Sequence, residues 1–160
     1  MSGDAIRVRL AHSGDADQIA SLNAFVQDAH VRAHPNWFRP TELLELRDWF
    51  RTLLLRPEAR VWIAESGRAP IGYISLLVLH RPANALVQAR RWCEIDNVAV
   101  HAEYRRRGVG RSLVEAALAY ARESAVTEVE LTSWAFNADA HAFFKNLGFV
   151  PRSIRFGQSI

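Results

Sequence analysis

The sequence has 160 residues, of which 49% are hydrophobic and 23% are charged, and its formal net charge is +3 at pH 7. This length leaves no comfortable room for a second domain, so we expect a single domain over residues 1–160 with a sizeable core. The net charge favours a phosphorylated ligand but is well below that of dedicated nucleic-acid binders, so no nucleic-acid partner is expected.

The cysteine and hydropathy content indicates the cell compartment. Cys93 is the single cysteine and cannot form an internal disulfide, and the N-terminus has no apolar run of the signal-peptide kind. The longest apolar stretch, residues 71–79, is too short to span a bilayer. We therefore expect a cytoplasmic protein without a membrane partner.

Hydrophobic periodicity predicts ten elements in the order β α α β β β α β α β. In chain order they are a strand at 6–10, a helix with its apolar stripe between 19 and 26, a helix between 41 and 57, strands at 61–65, 71–79 and 95–100, a helix from 109, a strand at 126–134, a helix at 137–147 and a strand at 149–156. Ser13 or Asp15 can cap the first helix. Hairpins need antiparallel neighbours and the strand-helix-strand unit near Gly108 needs a parallel crossover, so the sheet must be mixed.

The central stretch, residues 94–115, is a strand followed by a glycine turn and a helix. Gly108 and Gly110 lie in the first turn of that helix, where backbone N–H groups have no partner within the helix. Glycine lacks the Cβ that keeps an anion at a distance, so this turn can hold a phosphate or pyrophosphate. An arginine run by itself usually marks a solvated surface, but the two glycines and the helix behind it favour phosphate binding.

The spacing Arg105-x-x-Gly108-x-Gly110 resembles the acetyl-CoA signature R/Q-x-x-G-x-G/A of the GNAT superfamily of N-acetyltransferases. Residues 137–149 are similar to that family's N-x-x-A-x-x-F-Y-x-x-x-G-F segment. The resemblance implies the GNAT fold, an α/β fold with a mixed central sheet of about six or seven strands flanked by about four helices. It also implies acetyl-CoA as the cosubstrate, with no metal.

The same resemblance implies a cofactor site in which two strands splay apart and the pantetheine arm pairs with the central strand. On this basis Val98 and Val100 would offer backbone groups to the pantetheine or acetyl carbonyl, and the Val98 N–H would stabilise the oxyanion. The other implied cofactor-binding residues are Arg105, Arg106, Arg107, Gly108, Val109, Gly110, Arg111, Asn137 and Phe144.

Two carboxylates in the central strand are candidates for the general base. A lysine-like amine with a pKa near ~10.4 is almost entirely protonated at pH 7, which costs the nucleophile roughly 4 kcal/mol. Glu94 lies eleven residues before Arg105, where several GNAT enzymes carry a glutamate base. Asp96 faces the same side of a regular strand, and either group can act directly or through water. We favour Glu94, because a bulge typical of this strand in the family would turn Asp96 away.

The sequence departs from the family pattern at Phe144, where a tyrosine often protonates the departing CoA thiolate. Phenylalanine cannot donate that proton, so the general acid is unassigned, with water or Ser133 as candidates. The departure supports an alternative function, a non-catalytic acyl-CoA-binding sensor. Transfer to oxygen, or transfer of another acyl group, is a second alternative.

In GNAT proteins the segment between the first two helices helps to line the acceptor site. This implies substrate-side roles for Asp28, His30, His34 and Trp37. Trp134 is a further substrate-side candidate, and both tryptophans are expected to be core or cleft wall. The H-x-x-x-H spacing of the histidines lacks the glutamate of H-E-x-x-H, so we expect no metal site. The acidic pair suits a cationic small-molecule or peptide amine, and polyamines, aminoglycosides, amino acids and protein amines all stay open. The resemblance also leaves a homodimer open.

Overall fold

The computed structural model describes residues 5–160, so the first four residues of the expected 1–160 domain lie outside it. Within this range the chain forms five strands and four α-helices. They are β1 (Ile6–Leu10), α1 (Ala16–Ala33), α2 (Leu43–Leu54), β2 (Ala59–Ser66), β3 (Ala69–Arg81), β4 (Arg90–Val100), α3 (Val109–Glu123), β5 (Val129–Leu131) and α4 (Ala138–Asn146).

The strands form one mixed sheet in the order β1-β2-β3-β4-β5. The first three pairings are antiparallel, and β4 pairs with β5 in parallel through the crossover helix α3. The predicted mixed sheet and its parallel crossover at the glycine turn are therefore confirmed.

Two apolar clusters cover the faces of this sheet. The first contains Ile74 and Leu76 of β3, Leu113 of α3 and Phe144 of α4. The second joins the opposite face to α1 and α2 and includes Tyr73. Adjacent residues of β3 thus point into different clusters, as the two-residue period of a strand requires. None of the helices described between residues 5 and 160 is both long and apolar enough to cross a bilayer.

The strand count is lower than the predicted six or seven, because residues 149–156 do not form a strand. Pro151 lacks the N–H that a strand needs in order to pair on both sides, and the chain from 150 onwards is exposed. Arg152 attaches this tail through its side chain instead, with its Nη1 atom 3.0 Å from Glu130 and 3.2 Å from Glu128. β5 is also shorter than predicted and forms an edge of the sheet.

Asp15 occupies the N-cap position of α1, as the sequence predicted, but its side chain makes no capping hydrogen bond there and instead joins β1 to the start of that helix. Its carboxylate is nearly buried, at 3% exposure, and it accepts hydrogen bonds of 2.8 and 2.9 Å from Arg9 and one of 2.8 Å from the His12 N–H. The Arg9 guanidinium lowers the pKa of the Asp15 carboxyl below its ordinary value. Arg9 also donates to Glu65 on β2, so its guanidinium links β1, the start of α1 and β2.

Candidate active site

β4 and β5 part in the middle of β4. Their pairing covers Cys93 with Val129, Glu94 with Glu130, and Ile95 with Leu131. β4 then continues to Val100 with β3 as its partner on one side. From Ile95 onwards the other side of β4 is an open edge that faces the gap between the two strands.

A β-bulge lies at the point where the strands part. Ser75 of β3 pairs with Asn97 while the next residue, Leu76, pairs with Ile95, so Asp96 is the extra residue. The Asn97 N–H donates to the Ser75 hydroxyl at 3.1 Å, and Ser75 is fully buried. The bulge is therefore held by a hydrogen bond from within the core.

Backbone groups beyond the bulge alternate between β3 and the open edge. The N–H groups of Asn97 and His101 point to β3, the latter donating to the Ile71 carbonyl at 2.8 Å. Val98 and Val100 lie between them in a two-residue alternation, so their N–H and C=O groups face the open edge. The Val100 carbonyl there accepts a hydrogen bond of 3.3 Å from the Arg105 Nε.

A cavity of about 490 Å³ lies in front of the gap, between the β4 and β5 ends and helices α1, α2 and α4. Asp96, Asn97 and Val98 form part of its wall, and Asn97 Nδ2 donates to Asp96 Oδ2 at 2.8 Å. The bulge thus places Asp96 at the cavity wall, whereas we had expected a bulge to turn this side chain away. Glu94 is half-buried, lies outside the cavity lining and pairs with Leu77 of β3.

The glycine turn after β4 has the backbone geometry of an anion site. Gly108 adopts φ 85°, a left-handed conformation that glycine takes without strain, and it directly precedes α3. Helical hydrogen bonding begins with the Ser112 N–H, which donates to the Gly108 carbonyl at 3.0 Å. The N–H groups of Val109, Gly110 and Arg111 therefore precede the first helical hydrogen bond and are free to bind a ligand.

The arginines around this turn are solvent-exposed: Arg105, Arg106, Arg107 and Arg111. Arg107 lies over the Tyr104 ring, 5.4 Å from its centroid. Gly110 approaches α4 closely, since a Cβ atom there would lie 3.0 Å from the Phe143 ring. The turn consequently presents free N–H groups and positive charge beside the open edge of β4.

The structure places the two predicted cofactor residues of the tail in the cavity wall. The Asn137 side chain caps α4 by accepting the Ala140 N–H at 3.2 Å, and Asn137 also lines the cavity. Phe144 is 7% exposed and lies at the boundary between cavity and core. Ser133, after β5, supplies a hydroxyl to the lining.

The predicted acceptor residues fall into three groups. His30 and Trp134 line the cavity, and His34 and Trp37 contact Trp134 from outside it, with ring centroids 4.6 and 5.3 Å away. Asp28 is exposed and does not line the cavity. Trp37 is 66% exposed, so it is an outer support of the cleft wall and not part of the core.

The cavity also contains residues that the sequence did not single out for the site. Asn23 of α1 donates a 2.7 Å hydrogen bond to the Tyr73 hydroxyl below the cavity. Burial raises the pKa of that hydroxyl, and the charge of Asp96 adds to the effect, so Tyr73 is neutral at pH 7. A buried asparagine on an apolar helix face was the available signal. Among residues 5–160, no group of three or more His, Cys, Asp or Glu side chains is arranged to hold a metal ion.

Comparison with known proteins identifies the family. The model of the acetyltransferase (GNAT) family matches residues 23–149. The chain belongs to the GNAT family. A rat relative, N-acetyltransferase family 8 member 3, is 31% identical over 105 residues, which cover 66% of this chain and 44% of the relative. An uncharacterized N-acetyltransferase of Methanocaldococcus jannaschii is 28% identical over 110 residues, covering 68% of this chain and 46% of that protein. This GNAT chain thus spans about half the length of these curated relatives.

Solved structures show the same fold. A tetramutant of the BH1408 protein from Bacillus halodurans superposes with a TM-score of 0.91 at 23% identity, covering 96% of this chain and 99% of that one. Aminoglycoside N-acetyltransferase AAC(6')-Iy in complex with CoA gives a TM-score of 0.79 at 15% identity, covering 98% and 96%. These likenesses confirm the predicted GNAT fold, and at such identities they support the fold alone.

Proposed function

We propose that this GNAT protein transfers the acetyl group of acetyl-CoA to a primary amine, by direct attack in a ternary complex. The observation that carries the proposal is the parting of β4 from β5 at a carboxylate, with the glycine turn at the end of the same strand. Those features combine a base, an open backbone edge and an anion site within one strand-turn-helix unit.

The residues present fit acetyl-CoA, which would supply the activated acetyl thioester. Val98 and Val100 offer N–H and C=O groups to an amide-bearing pantetheine arm along the open edge. The free N–H groups of 109–111 and the flanking arginines suit the pyrophosphate. Arg105 is already hydrogen-bonded to the Val100 carbonyl, so it lies where the two halves of the site meet.

Asp96 is the proposed general base, in preference to Glu94, because it borders the cavity in which an acceptor amine would lie. The carboxylate removes one proton from the ammonium, directly or through a water, and passes it to solvent. The neutral nitrogen then forms a bond to the acetyl carbon while the carbon–sulfur bond breaks, and Asp96 takes the second proton that the nitrogen loses. The Val98 N–H, on the open edge, stabilises the charge that develops on the acetyl oxygen. Asp96 then returns its proton to solvent.

The departing thiolate takes a proton from solvent water in this mechanism. Phe144 carries no hydroxyl, and Ser133 is a hydroxyl-bearing cavity residue that can orient a water for the purpose. Because a thiol has a pKa near ~8.5, the thiolate is a good leaving group and needs little help.

Thiol release tests the proposal. The protein is incubated with acetyl-CoA and a panel of primary amines, free CoA is measured over time, and the acetylated amine is identified by mass spectrometry. Steady turnover that gives an amide supports N-acetyl transfer, and a product cleaved by hydroxylamine would indicate transfer to oxygen instead. Calorimetric binding of acetyl-CoA without turnover across the panel would overturn the enzyme assignment in favour of an acyl-CoA sensor.

A further inference from the structure

The cavity wall is unusually rich in rings. Six ring-bearing side chains line it: His30, Phe38, Trp49, Phe50, Trp134 and Phe144. They come from α1, the connection between α1 and α2, α2 itself, the loop after β5, and α4. The ring-bearing wall is therefore assembled from five segments of the chain.

Trp134 is the centre of the ring contacts on the outer wall. Its ring centroid lies 4.6 Å from His34, 5.3 Å from Trp37 and 5.4 Å from Phe38, while Phe38 lies 4.8 Å from His30. A side chain packed against three other rings is fixed before any ligand arrives. The entropy cost of ordering the wall around a flat apolar group is therefore already met by the fold.

The charges of the cavity are few. Among its described lining residues the carboxylates are Asp96 and Glu45, and Glu45 forms an ion pair with Arg39. Within residues 5–160, Asp96 has no cationic partner, and its one side-chain hydrogen bond is with the Asn97 amide. The cavity thus offers one unpaired carboxylate to a bound ammonium and none to a second.

We infer that the acceptor is a small primary amine with a single positive charge and an aromatic body. Its ammonium binds Asp96, and its ring packs against Trp134 and Phe38. The inference rests on the proposed acetyl transfer and names the substrate class of that site. The cavity volume of about 490 Å³ is within the range of small-molecule sites, and the pantetheine arm must share it. Polyamines and aminoglycosides carry more positive charge than this cavity can pair.

The test compares three classes of amine by thiol release with acetyl-CoA: 2-phenylethylamine, the polycations spermidine and sisomicin, and the small aliphatic methylamine. We expect kcat/KM for 2-phenylethylamine to exceed that for each of the others by about tenfold or more, the value of a good ring contact. Turnover that favours a polycation, or that is equal for phenylethylamine and methylamine, would overturn the inference while leaving acetyl transfer intact.

Variants identify the rings that cause the preference. Trp134→Leu and Phe38→Leu should each lower the ratio of kcat/KM for phenylethylamine to that for methylamine by about tenfold. The control is Phe25→Ala, a ring of α1 that is 57% exposed and lies outside the cavity, which should leave the ratio unchanged. Thermal unfolding of each variant confirms that it is folded, and the second variant replaces the first if Trp134→Leu unfolds.

Calorimetry with phenylethylamine, in the presence of CoA, separates the two hypotheses. One outcome is that no amine supports thiol release, but phenylethylamine binds and Trp134→Leu weakens that binding. This outcome would support the inferred ligand class and contradict the proposed acetyl transfer. If phenylethylamine neither reacts nor binds, the inference falls, whatever the other amines do.

Discussion

The side-chain amide of Asn97 donates a 2.8 Å hydrogen bond to one carboxylate oxygen of Asp96, its neighbour in the β4 bulge. The bond uses Oδ2 and leaves Oδ1 for another donor. Because the Asn97 backbone N–H is itself bound to the buried Ser75 hydroxyl, the carboxylate is attached to the core through its neighbour. A base at this position is oriented before the amine binds.

Replacing this carboxylate should reduce turnover and spare cosubstrate binding. We expect Asp96→Asn to lower kcat/KM by about 10²- to 10⁴-fold, the usual contribution of a general base, with partial recovery at high pH where the amine is already neutral. Thiol-release rates from pH 6 to 10 measure the effect, and calorimetry with CoA verifies the binding site. Glu94→Gln is the matched control, and a larger loss in that variant would transfer the role to Glu94.

Arg105 should contribute to cosubstrate affinity, because it lies between the open edge and the glycine turn. We expect Arg105→Ala to weaken CoA binding by about three- to tenfold, as for one charge-assisted hydrogen bond, and to reduce its salt dependence. Calorimetric titration at two salt concentrations gives both values. Arg68→Ala, in the exposed β2–β3 turn, changes net charge equally and should have no effect. Equal losses in both variants would mean that overall charge, and not this site, attracts CoA.

Gly72 of β3 allows α3 to pack closely on the sheet. A Cβ atom there would lie 2.9 Å from the Ala99 carbonyl oxygen and 3.2 Å from Leu113 and Val109 side-chain atoms. We therefore expect Gly72→Ala to lower the free energy of unfolding by about 1–3 kcal/mol, as overpacked sites do. Urea denaturation provides the value. Gly157→Ala, which adds its Cβ in open space, should change it by less than about 0.5 kcal/mol, and similar losses in both would refute the packing argument.

The Arg9–Asp15 pair should make the free energy of unfolding depend on pH in the acid range. The pKa of Asp15 is lowered in the folded state, so its stabilising contribution is full above the unfolded-state pKa and is lost as pH falls through the lower folded value. Asp15→Asn should cost about 1–3 kcal/mol at pH 7, and the difference from wild type should shrink towards pH 2. Thermal unfolding across this range tests it. The exposed Asp17→Asn serves as control, and a difference that stays constant with pH would contradict the assignment.

The parts of the fold that depend on local sequence were predictable. Glycine spacing and helical periodicity placed the turn at Gly108 and the start of α3, and the crossover rule then required a parallel β4–β5 pair. The family motif in the tail likewise predicted the position of α4. Each of these signals is contained within a few consecutive residues, so no knowledge of tertiary contacts was needed.

The predictions that failed depend on tertiary contacts that a local sequence pattern does not show. The direction of Asp96 is set by its register against Ser75, and a period-two pattern cannot show which residue of β4 is the extra one. Residues 149–156 have apolar character but lack a strand to pair with. Asp15 has the sequence position of a helix cap, yet its carboxylate is bound by Arg9 from β1. The ring-lined cavity likewise arises only when five separate segments meet.

The alternation of backbone groups beyond the bulge also determines how fast their amide protons exchange with solvent. Those of Asn97 and His101 are held by β3, whereas those of Val98 and Val100 face the gap, so deuterium should enter one strand at two rates on alternate residues. A ligand that pairs along the gap would protect the fast set and leave the slow set unaltered. Two adjacent amides, one on each side of the strand, thereby report separately on the cleft and on the core.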